Sequence, residues 1–182
     1  MNVSVSVTGA LGALALIVLL GWYLSFSAAR LDRLHARVEA ARDALDAQLV
    51  RRASVALELA TSGLLDPAAG VILAAAAHWA REAPPPDREL AESDLSRTLR
   101  AVLDADVVEA VSQTPPGRNV VVELETAAGR VQLARRFHND AVRAARTVRR
   151  QRVVRALRLA GHAPLPESFE IDDSPPVLAN FS

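Results

Sequence analysis

Hydrophobic positions are distributed very unevenly along this chain. From Asn2 to Ala29 there is no Lys, Arg, Asp or Glu, and Leu11–Leu24 reads LGALALIVLLGWYL. About 20 apolar residues are enough to cross a bilayer core as a helix. Val7–Phe26 is the best window, with Trp22 and Tyr23 near its C-terminal end, where amphipathic rings favour the headgroup layer. Arg30, Arg33 and Arg37 follow at once, whereas only the terminal amine precedes the run. An excess of Arg marks the cytoplasmic side. The pattern therefore predicts a short outer N-terminus (residues 1–6), a transmembrane helix over 7–29 and a cytoplasmic remainder. A cleaved signal peptide is the rival, because Ser27-Ala28-Ala29 has a small-residue cleavage pattern. Against it, a basic leader is missing and the apolar stretch is long. Gly9 and Ala13 make a small-xxx-small spacing that would serve self-association in the membrane.

After this run the pattern becomes periodic. Leu34, Val38, Ala41, Leu45, Leu49, Ala53, Ala56 and Ala60 recur every three or four residues, predicting a helix over 30–63 continuous with the membrane segment and stopped at Gly63. Asp66-Pro67 reads as an N-cap followed by Pro at the first helical position, opening a short helix over 67–81. Its run Val71–Ala77 is apolar on most faces, which predicts a buried helix. Pro84-Pro85-Pro86 breaks the chain, and Asp87 caps one further helix to about Ser112 with Leu95, Leu99, Val102, Leu103, Val107 and Val111 as its stripe. Pro115-Pro116-Gly117 reads as a second break. Asn119–Leu133 supports two readings: alternating valines around Ala128-Gly129 suit a β-hairpin, while Leu124, Ala127, Val131, Ala134, His138, Ala141, Ala145 and Val148 keep helical spacing. A short basic amphipathic segment follows Arg149, and residues 164–182 form an acidic, then Pro-rich tail expected to be flexible.

Composition narrows the chemistry. With no Cys, disulfides and thiolate catalysis are excluded. All 21 basic residues are Arg, and they balance the 21 acids overall. The charges are nevertheless segregated: Glu82–Glu109 holds eight acids against three Arg, and Arg130–Arg158 holds ten Arg against Asp140 alone. Such segregation can join helix to helix or present a basic face to anionic lipid. Arg149, Arg150, Arg152, Arg155 and Arg158 are the candidate lipid or partner contacts, since each basic residue near an anionic leaflet is worth about 1 kcal/mol. A solvated or packed helix face is the plainer reading of the same residues. Nucleic acid is not an expected partner, because aromatics for base stacking are nearly absent there.

No catalytic, metal or cofactor-binding residue can be nominated. His35, His78, His138 and His162 have no ligand-pair spacing, and His138 lies on an apolar stripe, as a core or interface residue would. Ser54 and Ser62 lack a glycine elbow, and the eight glycines form no phosphate loop. Glu123 and Glu125, two apart, fall on different sides of a helix.

Taken together, Leu34, Arg37-Val38-Glu39-Ala40-Ala41, Asp46, Gln48-Leu49 and Arg51-Arg52, then Leu124-Glu125-Thr126 and Ala134-Arg135-Arg136-Phe137-His138-Asn139-Asp140-Ala141-Val142, resemble the blocks of the LemA family of bacterial membrane proteins. Gly161, Pro164 and Phe169-Glu170 resemble its closing turn. The likeness spans about Gly9–Asp172, and the two Arg-Arg blocks are its specific parts. Ala56, where a Pro is usual, and Arg149-Arg150-Gln151, in place of a Pro-Asn turn, depart from the pattern. The resemblance implies an all-α fold: one membrane helix, N-terminus outside, continuing into a cytoplasmic antiparallel bundle over 30–163. It also favours helix over hairpin for 119–133. It implies a non-enzymatic interaction or scaffold protein of the cell membrane, without cofactor, whose partner is another membrane protein; the alternatives are an anionic-lipid sensor working through Arg130–Arg158 and an enzyme whose catalytic groups go unrecognised.

Overall fold

The computed structural model describes residues 2–150 and 165–176. Among the described residues there are five α-helices and no strand: α1 (Asn2–Thr61), α2 (Pro67–Glu82), α3 (Arg88–Val102), α4 (Ala105–Ser112) and α5 (Pro115–Arg149). One turn of 3-10 helix, Pro85–Asp87, leads from α2 into α3. The chain divides into two compact units, residues 1–39 with 141–166 and residues 40–140 with 167–182.

In the first unit, α1 carries the apolar run. Leu14, Leu16, Ile17, Leu19, Trp22 and Phe26 are exposed, and no part of the most apolar stretch is buried. This helix is long and apolar enough to cross a membrane. The periodic stripe takes over where charge appears: Val38 is buried and Leu34 half-buried. Ala141, Val142, Ala145 and Val148 of α5 are buried at helical spacing in the same unit, and Arg146 Nε donates to the Pro166 carbonyl at 2.7 Å.

The second unit has one main core. Ala53, Ala56 and Leu59 of α1 meet Leu73 and Ala77 of α2, Leu95 and Leu99 of α3, Val108 and Val111 of α4, and Val121 and Leu124 of α5. Alanines on α1 and α2 keep these faces narrow, so the helices pack through small side chains. A separate, smaller cluster joins Leu45, Leu49 and Val131 to the partly buried Ala134, Phe169 and Ile171.

Local signals account for the connections. Gly63 ends α1 with φ at +74°, a left-handed conformation that L residues with a Cβ rarely adopt. Asp66 caps α2, its Oδ1 accepting from the Ala68 amide at 2.9 Å, with Pro67 in the first turn. Three expectations change. α2 is one-sided rather than buried: Leu73, Ala76, Ala77 and Ala80 face inward while Val71, Ile72 and Trp79 are exposed, because only one face meets other helices. The single helix expected from Asp87 to Ser112 is two, since the chain leaves helical geometry at Leu103 and Asp104 caps α4 through the Val107 amide at 2.9 Å. Pro115-Pro116-Gly117 is not a break but the first turn of α5, where a missing proline N–H costs nothing. Thr114 Oγ1 accepts there from the Gly117 amide at 3.2 Å, and a Cβ on Gly117 would clash with the Val111 carbonyl oxygen. Between the two readings open for Asn119–Leu133, the structure has helix, as the resemblance implies: Val120 and Val121 are both buried and Val122 exposed, which strand alternation does not allow, while Leu124, Ala127, Ala128 and Val131 turn inward at helical spacing.

Candidate functional site

Two arginine–carboxylate clusters stand out in the second unit. The first is buried. Arg52 of α1 and Glu92 of α3 are 3% and 0% exposed, and Arg52 Nη2 donates to Glu92 Oε2 at 2.8 Å. Arg52 Nη2 also donates to the Glu92 carbonyl at 3.1 Å, and Nη1 to Ser96 Oγ at 3.0 Å. The other Glu92 oxygen accepts from Arg88 Nε at 3.2 Å, and Arg88 Nη2 reaches Asp46 Oδ1 at 2.9 Å. A charge removed from water is tolerated only when paired and hydrogen-bonded. This chain of groups runs from the solvent-facing Asp46 to a core-facing pair and locks α1 to α3.

The second cluster holds the segment Glu167–Asp173, a strap without helix or strand that lies on α3 and α5. Asn139 reads the backbone of Phe169 from both sides: the Phe169 amide donates to Oδ1 at 2.8 Å, and Nδ2 donates to the Phe169 carbonyl at 3.1 Å. Phe169 and Ile171 turn towards Leu45, Leu49 and Val131. Between and beyond them the polar groups meet helix side chains. The Glu170 amide donates to Glu89 Oε1 at 2.9 Å, and the Asp172 amide to Ser93 Oγ at 3.1 Å. Arg100 takes both Asp172 oxygens as a fork, and its Nη1 also donates to the Ser174 carbonyl at 2.8 Å. Arg135 Nε donates to Asp173 Oδ2 and Gln132 Nε2 to the Asp173 carbonyl, each at 2.8 Å. Glu89, Ser93 and Arg100 recur along one side of α3, as Gln132, Arg135 and Asn139 do along α5.

The electrostatics follow from these contacts. The Arg100 guanidinium holds the Asp172 carboxyl down at about 2, helped by hydrogen bonds from Ser174 and opposed by partial burial. Burial pushes the His138 imidazole below its ordinary value, and the charge of Arg42 adds to that, while the bond to the Glu167 carbonyl opposes it. His138 Nε2 lies 3.2 Å from that carbonyl, which accepts, so Nε2 carries the proton; Nδ1 is buried without a partner.

Two of the five candidate basic contacts fall among the described residues. Arg149 is half-buried in the last turn of α5 and engaged in an interaction, and Arg150 is exposed just beyond it. Arg152, Arg155 and Arg158 lie outside the described residues. Upstream, Arg135 is spent on the strap and Arg146 on the Pro166 carbonyl, so part of the basic segment serves internal contacts. An open cleft of about 420 Å³ is lined by Arg118, Asn119, Val122, Arg130 and the exposed Arg51–Glu123 ion pair. His138 is a buried residue of the apolar stripe. Among the described residues, no three His, Asp or Glu side chains converge as cation ligands would.

Arg52, Glu92, Arg100, Asn139 and the strap carry most of this chemistry, and none was nominated from sequence. A signal for the first pair exists: Arg52 falls on the apolar side of α1 between Leu49 and Ala56, and Glu92 precedes Leu95 on the inner side of α3. Strap partners are 29 to 81 residues apart, beyond what periodicity reports. No family model, no curated protein and no solved structure matches this chain.

Proposed function

We propose that the chain is a single-span, membrane-anchored helical adaptor of the LemA type, without enzymatic activity, its N-terminus outside and its helical units in the cytoplasm. One observation carries this reading: the uncharged run of α1 leaves Leu11, Leu16, Ile17, Leu19, Leu20 and Phe26 exposed, with none of its most apolar window covered by protein. Burying one such side chain is worth roughly 1.5–3 kcal/mol, so a run of them exposed calls for a lipid surround. Arg30, Arg33 and Arg37 at its end support the orientation. The Arg51-Arg52 and Arg135-Arg136 blocks support the LemA likeness. Arg52 and Arg135 anchor the two ion-pair clusters, which gives a physical reason for Arg at those positions.

An adaptor needs surfaces rather than a reaction centre, and the chain offers two: the strap-filled groove and the exposed apolar side of α2. Membrane extraction and topology mapping test the reading. Because the chain has no Cys, Ser4→Cys and Ser182→Cys each introduce a single thiol. The chain is expected to stay in the pellet after alkaline carbonate washing. In intact cells an impermeant maleimide should label the Ser4→Cys variant but label the Ser182→Cys variant only after lysis. A soluble chain beginning near residue 30, or outside labelling of the Ser182→Cys variant, overturns it.

A further inference from the structure

The strap is held as a ligand is held. Its backbone is read by a side-chain amide, Asn139, and its two apolar residues, Phe169 and Ile171, are only half-buried against a cluster separate from the main core. Its acidic end is taken by Arg100 and Arg135, whose side chains stay 31% and 21% exposed. From Phe169 to Asp172 the side chains alternate between the apolar cluster and polar partners, as in an extended peptide bound along a groove. The groove therefore has a legible specificity: an aromatic residue, an exposed residue where an acid is favoured, an aliphatic one, then two aspartates.

We propose that this groove, between α3 and α5, is a docking site for an acidic linear segment of that pattern in a partner protein, and that the strap is its intramolecular occupant. Every determinant lies in helix side chains facing the strap, so a segment of the same pattern on another protein would make the same contacts. A tethered occupant acts at an effective concentration of about millimolar, and a partner must exceed that or meet the chain with its strap loosened. Charge complementarity sets the partner's chemistry. Arg100 forks both Asp172 oxygens and Arg135 reaches Asp173 and, at 3.7 Å, Glu170. The inference goes beyond the adaptor reading by naming the partner class; binding in micelles does not depend on whether α1 spans a bilayer, so the two can fail separately.

The test uses the full chain in detergent micelles and a fluorescent peptide of residues 165–176, LPESFEIDDSPP. A strap-weakened variant, Phe169→Ala with Asp172→Asn and Asp173→Asn, is expected to bind the peptide saturably by anisotropy, at least tenfold more tightly than the wild-type chain, whose groove is filled. Adding Asn139→Ala, or scrambling the peptide, should cost tenfold or more. A folded weakened variant that binds no peptide, or that binds the scrambled peptide equally, overturns the proposal. A dimer with exchanged straps but no affinity for free peptide overturns it in favour of a second copy as occupant. Should the triple variant fail to fold, a protease site placed within 151–164 of the wild-type chain gives the second measurement. After cleavage, excess peptide should displace the cut strap, and a strap that stays bound contradicts the proposal.

Discussion

Arg52–Glu92 and Arg100–Asp172 are built from the same functional groups and differ mainly in their access to water. The first pair is 3% and 0% exposed and sits between α1 and α3; the second is 31% and 34% exposed and fastens a segment without regular structure. In the interior, losing one partner strands a charge with no solvent to receive it, so the pair is a permanent joint. At the rim, water can take over from either partner, and the contact chiefly sets which peptide lies there and in which register. The contrast teaches that an ion pair's burial, not its length, decides whether it is a fixture or a latch.

Removing one buried partner should have the largest effect. Glu92→Ala leaves Arg52 unpaired and should cost about 3–5 kcal/mol in urea unfolding, while Arg52→Met with Glu92→Leu should recover much of that loss. If Glu92→Ala cost no more than a surface change, the division between joint and latch would fail. Asn139→Ala comes next. It strips two hydrogen bonds from Phe169 and should cost roughly 1–3 kcal/mol, with altered exchange confined to the strap and its neighbours.

Gly129 gives a control lying in neither cluster. It is exposed within α5, and a Cβ added there meets nothing within 4 Å. Gly129→Ala should therefore raise stability by about 1 kcal/mol through helix propensity alone, seen as a higher Tm without change in peptide binding.

The smallest effects are those of pH on the strap. The Asp172 carboxyl is lowered from 3.8 to about 2, so its contribution is complete above 3.8 and lost as pH falls towards 2. With a third of the side chain in water, that contribution is below about 1 kcal/mol. His138 is also lowered, from 6.5. The unfolded chain therefore binds its proton first, and the stabilising contribution, whole above 6.5, fades as pH drops through the lowered value. Unfolding midpoints of the wild-type chain should fall between pH 7.5 and 5.5, and His138→Gln should flatten that slope.

Much of the helical framework is legible in the sequence because it is local. The 3–4 stripe from Val38 to Ala56, the Asp66-Pro67 cap and the Gly63 stop each rest on neighbours within a turn or two. Sequence and structure part where one local signal has two outcomes. Pro-Pro-Gly can end a segment or begin a helix, and only Thr114 and the approach to the Val111 carbonyl decide that here. Asp104 is an ordinary exposed acid in sequence but a helix cap once Leu103 turns into the core. The candidate site was illegible for a different reason. Arg100 and Asp172 are 72 residues apart, and an acidic stretch near the C-terminus looks alike whether it hangs in solvent or lies on two helices.

Hydrogen exchange on the full chain measures the difference between joint and latch most directly. The amides of Phe169 and Asp172, which donate to Asn139 and Ser93, should exchange through a local opening well below the free energy of global unfolding. The amides of Leu95 and Leu99 beside the buried pair should exchange only when the whole unit unfolds. Exchange of both sets at one common free energy would contradict the separation between a fixed core and a releasable strap.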